Sequence, residues 1–227
     1  MNKVKGYIFD YGGTLDTGGC HWGKMLWHAW EQAEMPVTEQ QFRQAYVQVE
    51  RRLGRENIIQ PDYTFHKTLE IKVMMEMAEM GLEDHSGITN AQIVSPLYNA
   101  VLRHTTHSRE VLQQLPQPKV LVSNFYGNMS TVLQEFDLDP LFLQVVESAV
   151  VGIRKPDPRI FLLGVEALGL TPGDVLVVGD SIAKDILPAK EAGCQTAWLR
   201  GEQWTDDPVD EEAADYVFDD LSEIITI

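Results

Sequence analysis

The sequence predicts an α/β fold: a doubly wound, Rossmann-like parallel sheet with an inserted all-helical cap domain. Three observations lead there. Four apolar runs end abruptly in polar residues: Val4–Phe9 before Asp10, Val120–Val122 before Ser123, Val150–Ile153 before Arg154-Lys155, and Val175–Val178 before Gly179-Asp180-Ser181. Short β-branched runs of this kind read as parallel strands buried on both faces. From Ser108 onward such runs alternate with helical patterns, the signature of a parallel sheet. Between Thr17 and about His107 the strand-like runs disappear and only helical periodicity remains.

The elements follow in order. Val4–Phe9 forms the first strand. Trp22, Met25, Leu26, Ala29, Trp30 and Ala33 then fall on one helical face, ended by Pro36. Thr38 with Gln41 reads as a capping box that opens a second helix through Leu53. A third helix fits Thr64 to Met80, stopped by Gly81. Thr89 with Gln92 suggests a fourth, running towards Arg103. Beyond it the pattern predicts helix near 109–115, strand 119–123, helix 129–136, strand near 145–150, helix 158–168, strand 175–179, helix 187–192, and strands 195–199 and 215–218. The first strand belongs with these later ones, so the expected division is a core of 1–16 and 108–227 and a cap of 17–107. Met74, Met75, Met77 and Met80 read as packing within the cap, as do Trp22, Trp27 and Trp30. Asp206-Asp207 and Asp210-Glu211-Glu212 read as a solvated loop.

Composition narrows the function. The 227 residues carry a formal net charge of −16, which argues against a nucleic-acid partner because phosphate backbones need a basic surface. A small phosphorylated substrate is compatible, since a bound cation and one or two basic residues reverse the local sign. The first strand lies so close to Met1 that no signal peptide is expected. No apolar run reaches the length needed to cross a bilayer, so no membrane partner is expected. Cys20 and Cys194 form no CxxC pair and fit free thiols in a reducing cytoplasm. Nothing in the pattern sets the oligomeric state.

In an open α/β sheet, ligands bind beyond the carboxyl ends of the strands, which brings Asp10, Ser123, Lys155, Asp180 and Asp185 towards one crevice. An aspartate at a strand end, followed by a Gly-Gly turn, suits covalent attack on phosphorus. Attack of one anion on another requires a cation; Asp10, Asp180 and Asp185 offer hard oxygen ligands for Mg²⁺. Lys155 would neutralise a further charge. Asp157 reads as the N-cap of the next helix, with Pro158 in its first position, and this sets Lys155 beside a helix N-terminus. Ser123 and the backbone amides of Tyr11 and Gly12 are candidate donors to phosphoryl oxygens. Each piece alone is a common cap or turn; the four in this order form a coherent phosphoryl-transfer set.

These motifs resemble the haloacid dehalogenase superfamily with a helical cap after the first strand, and the resemblance covers essentially the whole chain. It implies that Asp10 of DYGGTLD is the nucleophile and that Thr14 is the motif threonine. It implies Ser123 as the second-motif hydroxyl followed by Asn124, and Lys155 of GIRKPDPRIF as the third-motif lysine. Asp180 and Asp185 of GDSIAKDI match the fourth-motif acids, with Asp180 resembling the direct metal ligand, and the Gly12 carbonyl would complete the Mg²⁺ set. Pro188 stands where relatives usually carry glycine, tolerable in the first turn of a helix. The implied function is Mg²⁺-dependent hydrolysis of a small phosphorylated metabolite through an aspartyl-phosphate.

One departure stands out. Phosphatases of this superfamily carry a second aspartate at the position of Gly12, which protonates the leaving group and activates water. Its loss removes general acid–base catalysis, typically worth ~10²–10⁴-fold. A good leaving group, such as that of an acyl phosphate, would bypass the need, or a cap residue, His21, would substitute. An alternative is phosphonate C–P hydrolysis through a cap lysine, with Lys24, Lys67 and Lys72 available; another is a non-catalytic binder of a phosphorylated ligand. Carbon–halogen cleavage needs no metal and is disfavoured by the retained Asp180 and Asp185.

Overall fold

The computed structural model describes residues 3–82, 90–205 and 210–227. Thr89 and the Asp206-Asp207 pair lie outside the described residues. Six strands form one sheet: β1 (Gly6–Phe9), β2 (Lys119–Ser123), β3 (Gln144–Glu147), β4 (Val175–Gly179), β5 (Gln195–Leu199) and β6 (Tyr216–Phe218). Their order is β3-β2-β1-β4-β5-β6, and every neighbouring pair is parallel. Every residue of β1, β2, β4 and β5 is buried, and the apolar runs read in the sequence are the buried stretches of these strands. The strand order reverses at β1, where Phe9 lies opposite Leu121 on one side and Val178 on the other. That reversal opens a crevice beyond the carboxyl ends of β1, β2 and β4.

Among the described residues, four long helices separate β1 from β2: α1 (Trp22–Gln32), α2 (Glu39–Leu53), α3 (Phe65–Glu79) and α4 (Ser95–Gln113). Their ends follow local chemistry. The Thr38–Gln41 capping box opens α2, Thr64 accepts the Lys67 amide at the start of α3, and Gly81 follows α3 at φ 67°. The core helices are α5 (Met129–Glu135), the single turn α6 (Ser148–Val151), α7 (Arg159–Leu168) and α8 (Leu187–Glu191). Pro188 is the second residue of α8, which continues directly from the π-turn Ile182–Ile186. Helix α7 has Pro158, not the expected Asp157, as its N-cap; Asp157, one residue earlier, accepts the Arg159 amide on Oδ1 at 3.0 Å.

Two expectations are corrected. The helix towards Arg103 and the helix near 109–115 are one continuous helix, α4, preceded by a π-turn at Asn90–Val94. Leu97, Val101, Thr105, Ser108 and Leu112 maintain one buried stripe along it, and no glycine or proline interrupts the chain after Pro96, so the expected 107/108 boundary falls inside this helix. The run Val150–Ile153 is not a strand end. Strand β3 stops at Glu147, the next four residues turn as α6, and Gly152 closes that turn at φ 71°, leaving Val150 73% exposed.

Polar side chains tie the inserted helices together and to the sheet. Glu50 of α2 accepts hydrogen bonds from the Tyr126 hydroxyl, in the loop after β2, at 2.9 and 3.0 Å, and pairs with Lys72 of α3 at 2.5 Å. Glu135 of α5 accepts the Phe65 and His66 amides at the start of α3 and the Tyr98 hydroxyl. Glu76 of α3 accepts the Trp30 indole N–H at 3.3 Å, while its other oxygen is buried without a partner.

Burial pushes the Glu76 carboxyl up to about 8 from an ordinary 4.5, against the pull of Lys72. Between those values the folded chain holds a proton that the unfolded chain has released, so this group lowers stability as pH rises through the window. Glu76→Gln is therefore expected to raise the urea midpoint at pH 8 relative to the parent, and to leave it nearly unchanged at pH 5. Equal effects at both pH values, measured by equilibrium unfolding, would contradict this.

Candidate active site

The crevice holds four buried charges. Asp10 follows β1, Asp180 follows β4, Asp185 lies in the π-turn Ile182–Ile186, and Lys155 lies in the segment between α6 and α7. The Lys155 ammonium reaches Asp10 Oδ1 at 2.5 Å and Asp185 Oδ1 at 2.7 Å. The three carboxylates offer oxygens that all lie within 4.8 Å of one another. The Thr14 hydroxyl sits beneath them, 3.3 Å from Asp10 Oδ2 and 3.4 Å from Asp180 Oδ1. Asp185 is held from behind by the Ser181 amide at 3.1 Å. Asn124 and Lys155 exchange side-chain-to-backbone hydrogen bonds at 3.1 and 3.0 Å, anchoring the lysine segment to the end of β2. Ser123, Asn124 and Gly12 line the same cavity, whose volume is about 180 Å³.

Its electrostatics are unbalanced. Three carboxylates surround one ammonium, so full ionisation leaves two uncompensated negative charges in a buried place. Burial accordingly lifts the Asp10 carboxyl to about 6, against the opposing pull of Lys155, with Asp185 adding repulsion. Burial also raises Asp180 well above the carboxylate range, reinforced by Asp185 and Asp10. For Lys155, burial works to lower the pKa, but the two facing carboxylates outweigh it and hold the ammonium charged. A hard divalent cation is the ion that suits this donor set: all-oxygen, tri-anionic in full ionisation, and clustered.

The turn after Asp10 is shaped around these groups. Gly13 has φ +101°, and a Cβ there would lie 2.4 Å from the Asp180 carboxylate, so only glycine fits. Asp16 fixes the turn by accepting the Gly13 amide and the Trp22 indole N–H, both at 2.8 Å. At Gly12 a Cβ would fit, in ordinary van der Waals contact with the Trp22 indole at 3.6 Å. The Tyr11 side chain turns away from the cavity into the core against Phe65 and Phe125, leaving only its backbone near the crevice.

The opposite wall comes largely from the inserted helices. His21 lines it as the N-cap of α1, with Nδ1 accepting the Gly23 amide and the ring stacked on Trp204. Burial lowers its pKa to about 3, so the imidazole is neutral at physiological pH and has no acidic proton to give. Of the three cap lysines, only Lys72 lines the cavity; Lys24 pairs with Glu39 and Glu202, and Lys67 with Glu70. Burial pulls Lys72 down, but Glu50 more than restores it and holds the ammonium protonated. Trp22, expected only as packing, lines the cavity as well, whereas the cap methionines do not. Sequence reasoning missed Tyr46, Glu50, Tyr126, Arg154 and Lys184 on this wall. The available signal was Glu50 beside a buried face of Phe42, Val49 and Leu53, and the i, i+4 set Thr68, Lys72 and Glu76, buried polar residues in mid-helix.

Comparison with known proteins finds phosphatase relatives and a matching family. A glyceraldehyde 3-phosphate phosphatase of Methanocaldococcus jannaschii is 34% identical over 132 residues, 56% of this chain and 58% of the relative. A phosphoglycolate phosphatase of Pasteurella multocida is 37% identical over 100 residues, 44% of each chain. The chain thus spans less than two thirds of the length of these relatives. A solved HAD phosphatase from Thermococcus onnurineus shares the fold at a TM-score of 0.59, covering 98% of this chain and 97% of the other at 19% identity. The model of haloacid dehalogenase-like hydrolases matches residues 4–193, from the start of the first strand to beyond the last acidic residue of the crevice. On that match, and with its parallel sheet and helical insert, this chain belongs to the haloacid dehalogenase-like hydrolase family.

Proposed function

We propose that this chain is a Mg²⁺-dependent phosphatase of a small phosphorylated metabolite, with Asp10 as nucleophile. The observation that carries the reading is the contact of one buried ammonium, Lys155, with both Asp10 and Asp185, next to Asp180. The phosphatase relatives support the substrate class. Asp10, Asp180 and the Gly12 carbonyl would hold the ion, with Asp185 supporting them. When bound, Mg²⁺ supplies charge neutralisation that lets two anions meet.

The remaining chemistry belongs to the chain. Lys155 holds the Asp10 carboxylate in one orientation and, with the Ser123 hydroxyl and the Gly12 amide, receives the phosphoryl oxygens. An Asp10 oxygen forms a bond to phosphorus as the bond to the leaving oxygen breaks, giving an aspartyl-phosphate. With glycine at position 12 and His21 neutral, the leaving oxygen departs without a strong proton donor, which favours leaving groups stable as anions. Water then attacks phosphorus and releases Asp10, again without the usual base. The phosphonate alternative needs an unprotonated lysine to form an imine, and Glu50 keeps Lys72 protonated. This favours phosphate over phosphonate.

Rapid mixing with acetyl phosphate in Mg²⁺ is expected to give a burst stoichiometric with enzyme and then slow turnover, both abolished in Asp10→Asn. Turnover that survives Asp10→Asn would refute the nucleophile. Because a Cβ at Gly12 makes only ordinary contact, Gly12→Asp should fit and raise kcat on p-nitrophenyl phosphate and on alkyl phosphates at least about tenfold, within the range general acid–base catalysis supplies. An unchanged or lower kcat would count against the missing acid as the limiting defect.

A further inference from the structure

Arginine is unevenly placed in this acidic chain. Five of the nine arginines pair with carboxylates: Arg43 with Glu39, Arg52 with Glu56, Arg109 with Asp137, Arg159 with Asp157, and Arg200 with Glu211 and Asp219. Besides Arg103 on α4, Arg51, Arg55 and Arg154 have no acidic partner among the described residues, although the chain carries 34 Asp and Glu. These three come from two separate segments, the C-terminal end of α2 and the residue before Lys155, yet they line one contiguous hollow. Its larger part has a volume of about 350 Å³ over a floor that includes Leu53, Phe125 and Tyr126. The acids in its wall are already engaged, Glu50 by Lys72 and Tyr126, Glu56 by Arg52. Arg154, Phe125 and Tyr126 also line the crevice that contains Asp10, so the two spaces share a wall.

We infer that this arginine hollow binds a second anionic group, a distal phosphate, on the same substrate whose first phosphoryl group enters the Asp10 crevice. The inference rests on the phosphatase reading for the first group and adds the substrate class: a small metabolite phosphorylated at two positions. Three guanidinium groups without counter-ions repel one another, and a dianion relieves that repulsion while matching their planar, forked donors. They also create a local positive field on a negative molecule, which draws a multiply charged anion towards this mouth. A crevice of about 180 Å³ takes a phosphoryl group and a short carbon segment, leaving the far end of the substrate to emerge beside Arg154.

The test is calorimetric binding in Mg²⁺ to Asp10→Asn, which holds ligands without turnover. The probes are butanediol bisphosphate, hydroxybutyl phosphate and carboxybutyl phosphate. The bisphosphate is expected to bind at least about tenfold more tightly than the hydroxyalkyl phosphate, consistent with charge-assisted hydrogen bonds. That ratio should collapse in Arg51→Gln/Arg55→Gln and invert in Arg55→Glu, with circular dichroism confirming the fold of each. Equal affinity of bisphosphate and monophosphate, or a ratio untouched by either arginine variant, overturns the inference. Preference for the carboxylate probe over the bisphosphate overturns the choice of phosphate as the second group. Arginine-dependent bisphosphate binding without any binding of hydroxybutyl phosphate supports the hollow and refutes the phosphoryl role of the Asp10 crevice, so the two readings fail separately.

Discussion

The contact between Lys155 and the two carboxylates Asp10 and Asp185 is the constraint on which the rest of the site depends. An ammonium is tolerable in a buried place only with close, hydrogen-bonded counter-charges, and these lie at 2.5 and 2.7 Å. The contact joins the end of β1, the segment before α7 and the turn after β4, three parts of the chain that meet only because the sheet reverses at β1. A third acid, Asp180, then tips the balance to negative and gives the cluster a donor set that could hold a hard cation. Gly13 follows from the same crowding, since any side chain there would enter the Asp180 carboxylate.

The helices inserted after β1 complete the crevice with a wall of different character. Lys72, Glu50 and the Tyr126 hydroxyl form a hydrogen-bonded chain across two helices and the loop after β2. Because that chain keeps Lys72 charged, the wall presents an ammonium donor to the crevice and not a free amine. In the proposed reaction the Gly12 position, bordered by the Trp22 indole, is where a proton donor would be missing. Burial of His21 as a neutral ring leaves that lack uncorrected from the cap side.

How much of this was legible in the sequence depends on the range of the interaction. Strands β1, β2, β4 and β5 were readable because burial on both faces makes them continuously apolar, and Thr38, Thr64 and Gly81 marked helix ends through contacts within a few residues. The fold class followed from these. Strand β3 was misplaced because Val150 and Val151 look like strand residues although Gly152 closes a helical turn around them. Helix α4 was divided because Thr105, Ser108 and Arg109 weaken the apolar stripe in sequence while Thr105 and Ser108 are buried in the structure. Asp10, Ser123, Lys155, Asp180 and Asp185 were readable as a set because each stands next to a strand end or turn signal. Glu50 and Arg154 were not, and Lys72 could not be told from Lys24 and Lys67, because which of them reach the crevice depends on how α2 and α3 pack against the loop after β2, at which the polar set in mid-helix only hints.

On the proposed function, the buried carboxylate cluster around Lys155 is a divalent-cation site for chemistry at Asp10. Calorimetric titration of Mg²⁺ into the parent protein and into Asp180→Asn, at neutral pH without substrate, tests it most directly. Stoichiometric binding to the parent, weakened at least about tenfold by Asp180→Asn, is the predicted result, as expected for loss of one charged ligand. No binding to the parent, or equal binding to both, would contradict the account.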